Sequence, residues 1–205
     1  MRVFFQLGTT ISLTWMAVPA DAQISDPNVK TCVEKSGHEA IAGCTAAITS
    51  GKVSTSNLAT LFSNRGIEWS NKHDFARAIA DFNEAIRLNP QIVLAFYNRG
   101  LAYYSQKDFA RAIADFNEAI RLNPQYAAAF MSRGLVNLTQ ANRAAAFADF
   151  ETYSRLIPNS PWVLYGRGLA ALHVGKAAEG QADIAAATKA NAGVAKVYAD
   201  MGLIL

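Results

Sequence analysis

Residues suited to chemistry are scarce in this chain. Its 205 residues include two cysteines and three histidines. Cys32 and Cys44 have no second pair to complete a tetrahedral ligand set, so metal binding is not expected. His38, His73 and His173 stand far apart in sequence, and no His-x-x-x-His pair, glycine-rich phosphate loop or serine-nucleophile motif occurs. Neither a catalytic constellation nor a cofactor site is therefore expected, and the chain reads as a non-enzyme. Charge of one sign is also lacking. The formal net charge is +3, and no basic run exceeds two residues, which argues against nucleic acid as a partner. Beyond residue 22 no apolar run approaches the ~20 residues of a membrane-spanning helix.

The N-terminus has the form of an export signal. Met1 and Arg2 precede a mostly apolar run from Val3 to Val18, and Ala20-Asp21-Ala22 supplies the small-x-small cleavage pattern. Cleavage is expected between Ala22 and Gln23, with a retained anchor disfavoured by Gln6, Thr9, Thr10, Ser12 and Thr14. The mature protein is expected in the periplasm of a Gram-negative cell, with secretion as the alternative. In that oxidising setting an even cysteine count favours a disulfide.

What the chain has in abundance is self-similarity. Asp74 to Gln91 reads DFARAIADFNEAIRLNPQ, and Asp108 to Gln125 repeats it without a change, 34 residues on. Four units follow in phase: 59–92, 93–126, 127–160 and 161–194. Position eight is Gly66, Gly100, Gly134 and Gly168; position twenty is Ala78, Ala112, Ala146 and Gly180. Position twenty-four is Phe82, Phe116, Phe150 and Ile184, and position thirty-two is Pro90, Pro124, Pro158 and Ala192. Small residues allow two helices to approach, the large residue is expected to fill the space between neighbouring hairpins, and proline stops the second helix. Phe75, Ala78, Ile79, Phe82, Ala85 and Ile86 step by three and four, a helical face. Each unit is thus a helical hairpin that needs stacked neighbours. The fourth is worn, with the helix breakers Gly175 and Gly180 in its second half, and is expected to be the loosest full unit.

This period and small/large/proline pattern resemble the tetratricopeptide repeat. The resemblance covers 59–194 and implies an all-α, right-handed superhelical solenoid of helix-turn-helix repeats. The sequence departs from the family at position four, where Phe62, Phe96, Phe130 and Leu164 replace the usual Trp, and at position seven, where arginine replaces Leu. Both ends read as caps. Residues 25–58 form a degenerate hairpin in which Glu39 to Ile48 aligns with Arg77 to Ile86, and 195–205 form a lone C-terminal helix with Tyr198 at its fourth position and Gly202 at its eighth.

Arginine at position seven and aspartate at position twenty-three are kept in every unit: Arg65/Asp81, Arg99/Asp115, Arg133/Asp149 and Arg167/Asp183. A half-buried guanidinium needs a carboxylate, so these are expected to be structural ion pairs. Spacing leaves open whether each arginine meets its own unit's aspartate or the preceding one's. The resemblance implies a concave groove lined by positions two, five, nine and twelve, here chiefly Leu94, Tyr97, Leu101, Tyr104, Met131, Leu135, Trp162 and Tyr165. No Lys or Arg occupies those positions, so the family's carboxylate clamp is not expected. Tyr97, Tyr104, Trp162 and Tyr165 are expected to be exposed for peptide contact. The alternative for the leucines is packing between helices.

Cys32 and Cys44 flank a turn at Ser36-Gly37-His38, five residues back and seven forward of Gly37, which places them level on antiparallel helices. A disulfide is expected there, with two buried thiols as the alternative. The function these observations imply is a scaffold that binds an unknown protein or peptide, serving envelope assembly. The alternative is a self-associating oligomer built through the apolar C-terminal helix.

Overall fold

The computed structural model describes residues 26–203. The described residues form eleven α-helices and no strand, the all-α helical-repeat fold that the periodicity implies. They fall into two compact units, divided between Leu122 and Asn123.

The N-terminal unit holds three hairpins: α1 (Pro27–Glu34) with α2 (Gly37–Thr49), α3 (Thr55–Asn71) with α4 (Phe75–Leu88), and α5 (Val93–Ser105) with α6 (Phe109–Leu122). Their ends follow from local chemistry. Asp26 caps α1 by accepting from the Asn28 N–H at 2.7 Å, ahead of Pro27 at the first helical position. Asp74 and Asp108 cap α4 and α6 by accepting from the Arg77 and Arg111 N–H groups, each at 3.1 Å. α4 ends before Asn89, whose side chain accepts from the Gln91 N–H at 3.0 Å. Asn89 also precedes Pro90 and is extended, as a residue before proline prefers.

In the first hairpin Gly37 takes φ +65°, the left-handed conformation the turn requires. Cys32 and Cys44 are both fully buried, with Cα atoms 4.5 Å apart and sulfurs at bonding distance. Gly43 permits this approach, since a Cβ there would lie 2.8 Å from the Cys32 backbone nitrogen. Leu61 of α3 packs on the pair together with Val29 and Ala47. Glu68, buried on α3, accepts the Gly37 N–H at 2.7 Å and so serves the start of α2, where Ser36 makes no side-chain cap.

The C-terminal unit holds α7 (Ala127–Thr139) with α8 (Arg143–Leu156), α9 (Pro161–Ala171) with α10 (Ala177–Ala190), and the single α11 (Val194–Asp200). Two expectations need correction here. Gly180 does not break α10. It lies inside the helix because the Gly168 carbonyl of α9 comes within 2.8 Å of where a Cβ would stand. Gly175, the other expected breaker, lies in the preceding turn at φ +79°. The terminal helix is also shorter than the sequence implies. It ends at Asp200, and Gly202, at φ +74°, turns the chain so that the Leu203 N–H donates to the Tyr198 carbonyl at 2.9 Å. α10 stops at the place matching the end of α4 although Ala192 replaces proline. Asn191 supplies the same local bond as Asn89, accepting from the Gly193 N–H at 2.9 Å.

Position eight meets position twenty-four within each hairpin. A Cβ at Gly66, Gly100 or Gly134 would stand 2.8, 2.7 or 2.8 Å from the ring of Phe82, Phe116 or Phe150. The three rings are fully buried. The large residue therefore seats on its own hairpin's glycine and also fills the space toward the next hairpin, as expected: Phe150 stands 2.9 Å from where a Cβ at Gly166 of α9 would lie, and Phe82 clusters with Ile92 and Ala95. The proposed leader, residues 1–22, lies outside the described residues, as do Ile204 and Leu205.

Candidate functional site

The most regular polar feature is a guanidinium seated between an aromatic ring and a carboxylate. Each arginine meets the aspartate of its own repeat, which resolves the choice that spacing left open. Arg65 donates from Nε and Nη2 to Asp81 at 2.8 Å each, and Arg99 to Asp115 at 2.8 and 2.6 Å. Arg167 meets Asp183 at 2.7 and 2.8 Å. Arg133 reaches Asp149 at 2.6 Å through Nη2, and Asn137 adds a bond to the same carboxylate at 3.1 Å. This is the two-point geometry that distinguishes arginine from lysine. Phe62, Phe96 and Phe130 stand 5.4, 5.5 and 5.6 Å from the first three guanidinium carbons, so aromatics at position four suit arginine at position seven.

For two of the arginines the third guanidinium nitrogen reaches outside the repeat. In the N-terminal unit Arg65 Nη1 donates to Thr45 Oγ1 at 3.0 Å and Arg99 Nη1 to Asn83 Oδ1 at 2.6 Å. Thr45 and Asn83 hold equivalent places in successive hairpins. The carboxylates are shielded, with the four aspartate side chains between 5 and 11% exposed. Burial pushes the Asp81 and Asp115 carboxyls above the ordinary range, against the opposing pull of their arginines. These groups are spent on one another, and the arrangement is architectural.

The groove residues divide. Leu94 and Tyr104 are half-buried, and Leu101, Met131 and Leu135 are buried, which matches packing between helices for the two leucines. The expected exposure of Tyr97, Trp162 and Tyr165 is corrected: they are 1, 8 and 8% exposed. Tyr97 packs its ring 5.8 Å from Phe116, and Tyr165 lies 5.0 Å from Tyr198. The backbone carbonyl of Trp162 accepts from the Tyr198 hydroxyl at 2.7 Å, which ties α11 to α9. An aromatic at a groove position fits a helix seam as readily as a ligand surface, and here the seam takes it.

A second set of residues in the N-terminal unit went unnoticed in sequence. Ser63 Oγ, both amide atoms of Asn64, Ser70 Oγ and Asn98 Nδ2 are buried with no hydrogen-bond partner among the described residues. Asn64 and Asn98 occupy position six of successive repeats, so a recurring polar residue at that position was the available signal. Buried amides are nearly always paired, and unpaired ones are conspicuous. Among the described residues no cluster of three or more His, Cys, Asp or Glu side chains could hold a metal ion. No described helix is long and apolar enough to cross a membrane.

Residues 70–127 and 105–161 each match the profile of the tetratricopeptide repeat family. Together the two matches span 70–161, within the 59–194 stretch whose period the sequence shows. Solved structures with the same fold include MamA, 22% identical, with 77% of this chain and 90% of that one covered at a TM-score of 0.67. Another is YrrB, described as a tetratricopeptide repeat protein with an unusual peptide-binding site. It is 21% identical, with 78% and 84% covered at 0.66. A third is the first such domain of Spaghetti (RPAP3), bound to the HSP90 peptide SRMEEVD. It is 24% identical, with 58% of this chain and 98% of that one covered at 0.56. At these identities the likeness carries the fold alone. Among curated proteins none matches the chain significantly.

Proposed function

We propose that this chain is a non-catalytic interaction scaffold whose N-terminal unit holds an extended segment of a protein partner against α3 and α5. The observation that carries the reading is the set of unpaired polar atoms on Ser63, Asn64, Ser70 and Asn98. Each buried donor or acceptor left unmade costs about 1–3 kcal/mol. A peptide main chain offers the missing groups in alternation, and a carboxamide matches them because it both donates and accepts. Half-buried Leu94 and Tyr104 on α5 add apolar contact, and the buried Asn64 and Asn98 amides reach a ligand by side-chain rotation, an ordinary part of such binding. The family's general use as an interaction module supports this, as do the two structural relatives described with a peptide or a peptide-binding site.

The same reading places the protein outside the cytoplasm, cut before Gln23, with Cys32 and Cys44 oxidised to a disulfide and the partner drawn from envelope assembly. The leader, the cysteine pair and the lack of chemical motifs support it. The test is a photocrosslinking side chain introduced at Leu94 in the full chain and expressed in its native cell. A discrete adduct is expected, falling at least fivefold with Asn64→Leu and Asn98→Leu while helix content and melting temperature are kept or raised. Adducts unchanged by both substitutions would reject the polar strip as the binding surface. Intact mass of the exported protein, with and without reductant, checks the cleavage site and the disulfide separately.

A further inference from the structure

The third repeat departs from the second at one end of its hairpin, and a cavity lies there. In the second repeat Tyr104 and Phe109 pack ring against ring at 5.8 Å, and Asp108 pairs with Arg111. The matching residues of the third repeat are Leu138 and Arg143, with Asn142 for the aspartate and Ala145 for the arginine. Two rings have been replaced by a smaller aliphatic side chain and a flexible cation, and a carboxylate has been replaced by a neutral amide. At this place lies a half-open cavity of about 130 Å³, wholly within the C-terminal unit. By volume it would hold about four waters.

The lining has two parts. Leu138 and Leu169, both buried, make an apolar floor, and Leu203 joins them because Gly202 turns the chain back. Arg143, His173 and Thr139 complete the lining with polar groups, and no lining residue is acidic. Thr139 and His173 are partly engaged. Thr139 Oγ1 donates to the Leu135 carbonyl at 2.8 Å, and His173 Nδ1 lies 3.1 Å from the Leu169 carbonyl oxygen. That leaves the His173 Nε2 and the whole Arg143 guanidinium for a ligand, since no described carboxylate pairs with Arg143. It stands apart from Arg65, Arg99, Arg133 and Arg167, each of which has its aspartate.

We infer that this cavity binds a short aliphatic carboxylate, with the hydrocarbon on Leu138, Leu169 and Leu203 and the carboxylate on Arg143 beside His173. Arginine meets a carboxylate through two parallel N–H bonds, and the apolar floor supplies the rest of the affinity. The inference is independent of the polar strip on α3 and α5, because it concerns the other unit and a different ligand class.

The experiment uses the full chain and amide-proton NMR, with 4-methylpentanoate, 4-methylpentanamide and a pentapeptide ending in leucine with a free carboxylate as probes. Saturable shifts at Leu138, Leu169 and His173 are expected with the acid. Affinity should fall at least tenfold with the amide and with Arg143→Gln. Arg143→Phe, which restores the residue of the first two repeats, should abolish binding with the fold intact. If the acid binds and the peptide does not, the ligand is a free acid; if the peptide binds more tightly, it is a chain terminus. No saturable shift with either, or equal binding of acid and amide, overturns the inference.

Discussion

Removing one side of the Arg99–Asp115 pair should be costly, and removing both should cost less than the sum. Asp115 is 7% exposed at its side chain and receives two bonds from Arg99, at 2.8 and 2.6 Å. Arg99→Ala leaves that carboxylate buried with its strongest partner gone, frees Asn83 Oδ1 and strips the cation from Phe96. Breaking a buried pair costs about 3–5 kcal/mol, and the 18% exposure of Arg99 moves the figure toward the lower end, about 3 kcal/mol. Asp115→Ala strands a guanidinium that keeps Asn83 and some water, so about 2 kcal/mol is expected. The double variant should cost about 1–2 kcal/mol less than the two added together, because neither charge is then left alone. Urea denaturation followed by circular dichroism gives all three values. Two single variants each within about 0.5 kcal/mol of the parent would refute the argument and make the pair a solvated one.

Three further expectations follow from the geometry. Gly100→Ala should cost about 1–3 kcal/mol, since the new methyl would stand 2.7 Å from the buried Phe116 ring and 3.3 Å from the Ala112 carbonyl; an unchanged melting temperature contradicts that packing. Ala141 holds φ +59° where Gly175 holds the matching place in the next repeat, so Ala141→Gly should stabilise by about 1 kcal/mol, and a loss of stability would count against the turn. Carboxyl-carbon NMR should find Asp81 and Asp115 titrating above the ordinary range, raised by burial, and Asp108 below it, lowered by its bonds from Arg111. The signs then oppose. The contribution of Asp81 and Asp115 is fully present below the unfolded value, about 3.9, and is lost as pH rises through their raised folded values. That of Asp108 is present above the unfolded value and is lost as pH falls through its own. A titration order with Asp115 below Asp108 would reverse the reading.

The hairpin frame was legible because it rests on exclusion. Glycine at position eight and phenylalanine at position twenty-four leave each other just enough room, so size alone told where helices meet. Charge was legible for a similar reason: an arginine that recurs with an aspartate needs no coordinates to suggest a pair. The groove was less legible. A tyrosine satisfies a seam and a ligand surface equally, and only the nearness of Phe116 to Tyr97 and of Tyr198 to Tyr165 decided between them. Gly180 misled because a helix breaker and a contact residue share one letter. The polar strip escaped because Asn64 and Asn98 look like ordinary helix-surface amides until their burial is known.

The third arm of the arginines gives the N-terminal unit a direction. Arg99 finishes its contacts on Asn83 and Arg65 finishes its own on Thr45, so each hairpin's charge network is closed by the hairpin before it. Shortening the chain from the front would therefore leave a donor idle at the first remaining arginine. Removing a following hairpin would cost the one before it no guanidinium bond, only an acceptor left to water. Nearest-neighbour coupling of this one-sided kind makes an array that frays unequally from its two ends. The sealed first hairpin, with its buried cysteines and the Glu68 tether, stands at the end where the loss would be greater.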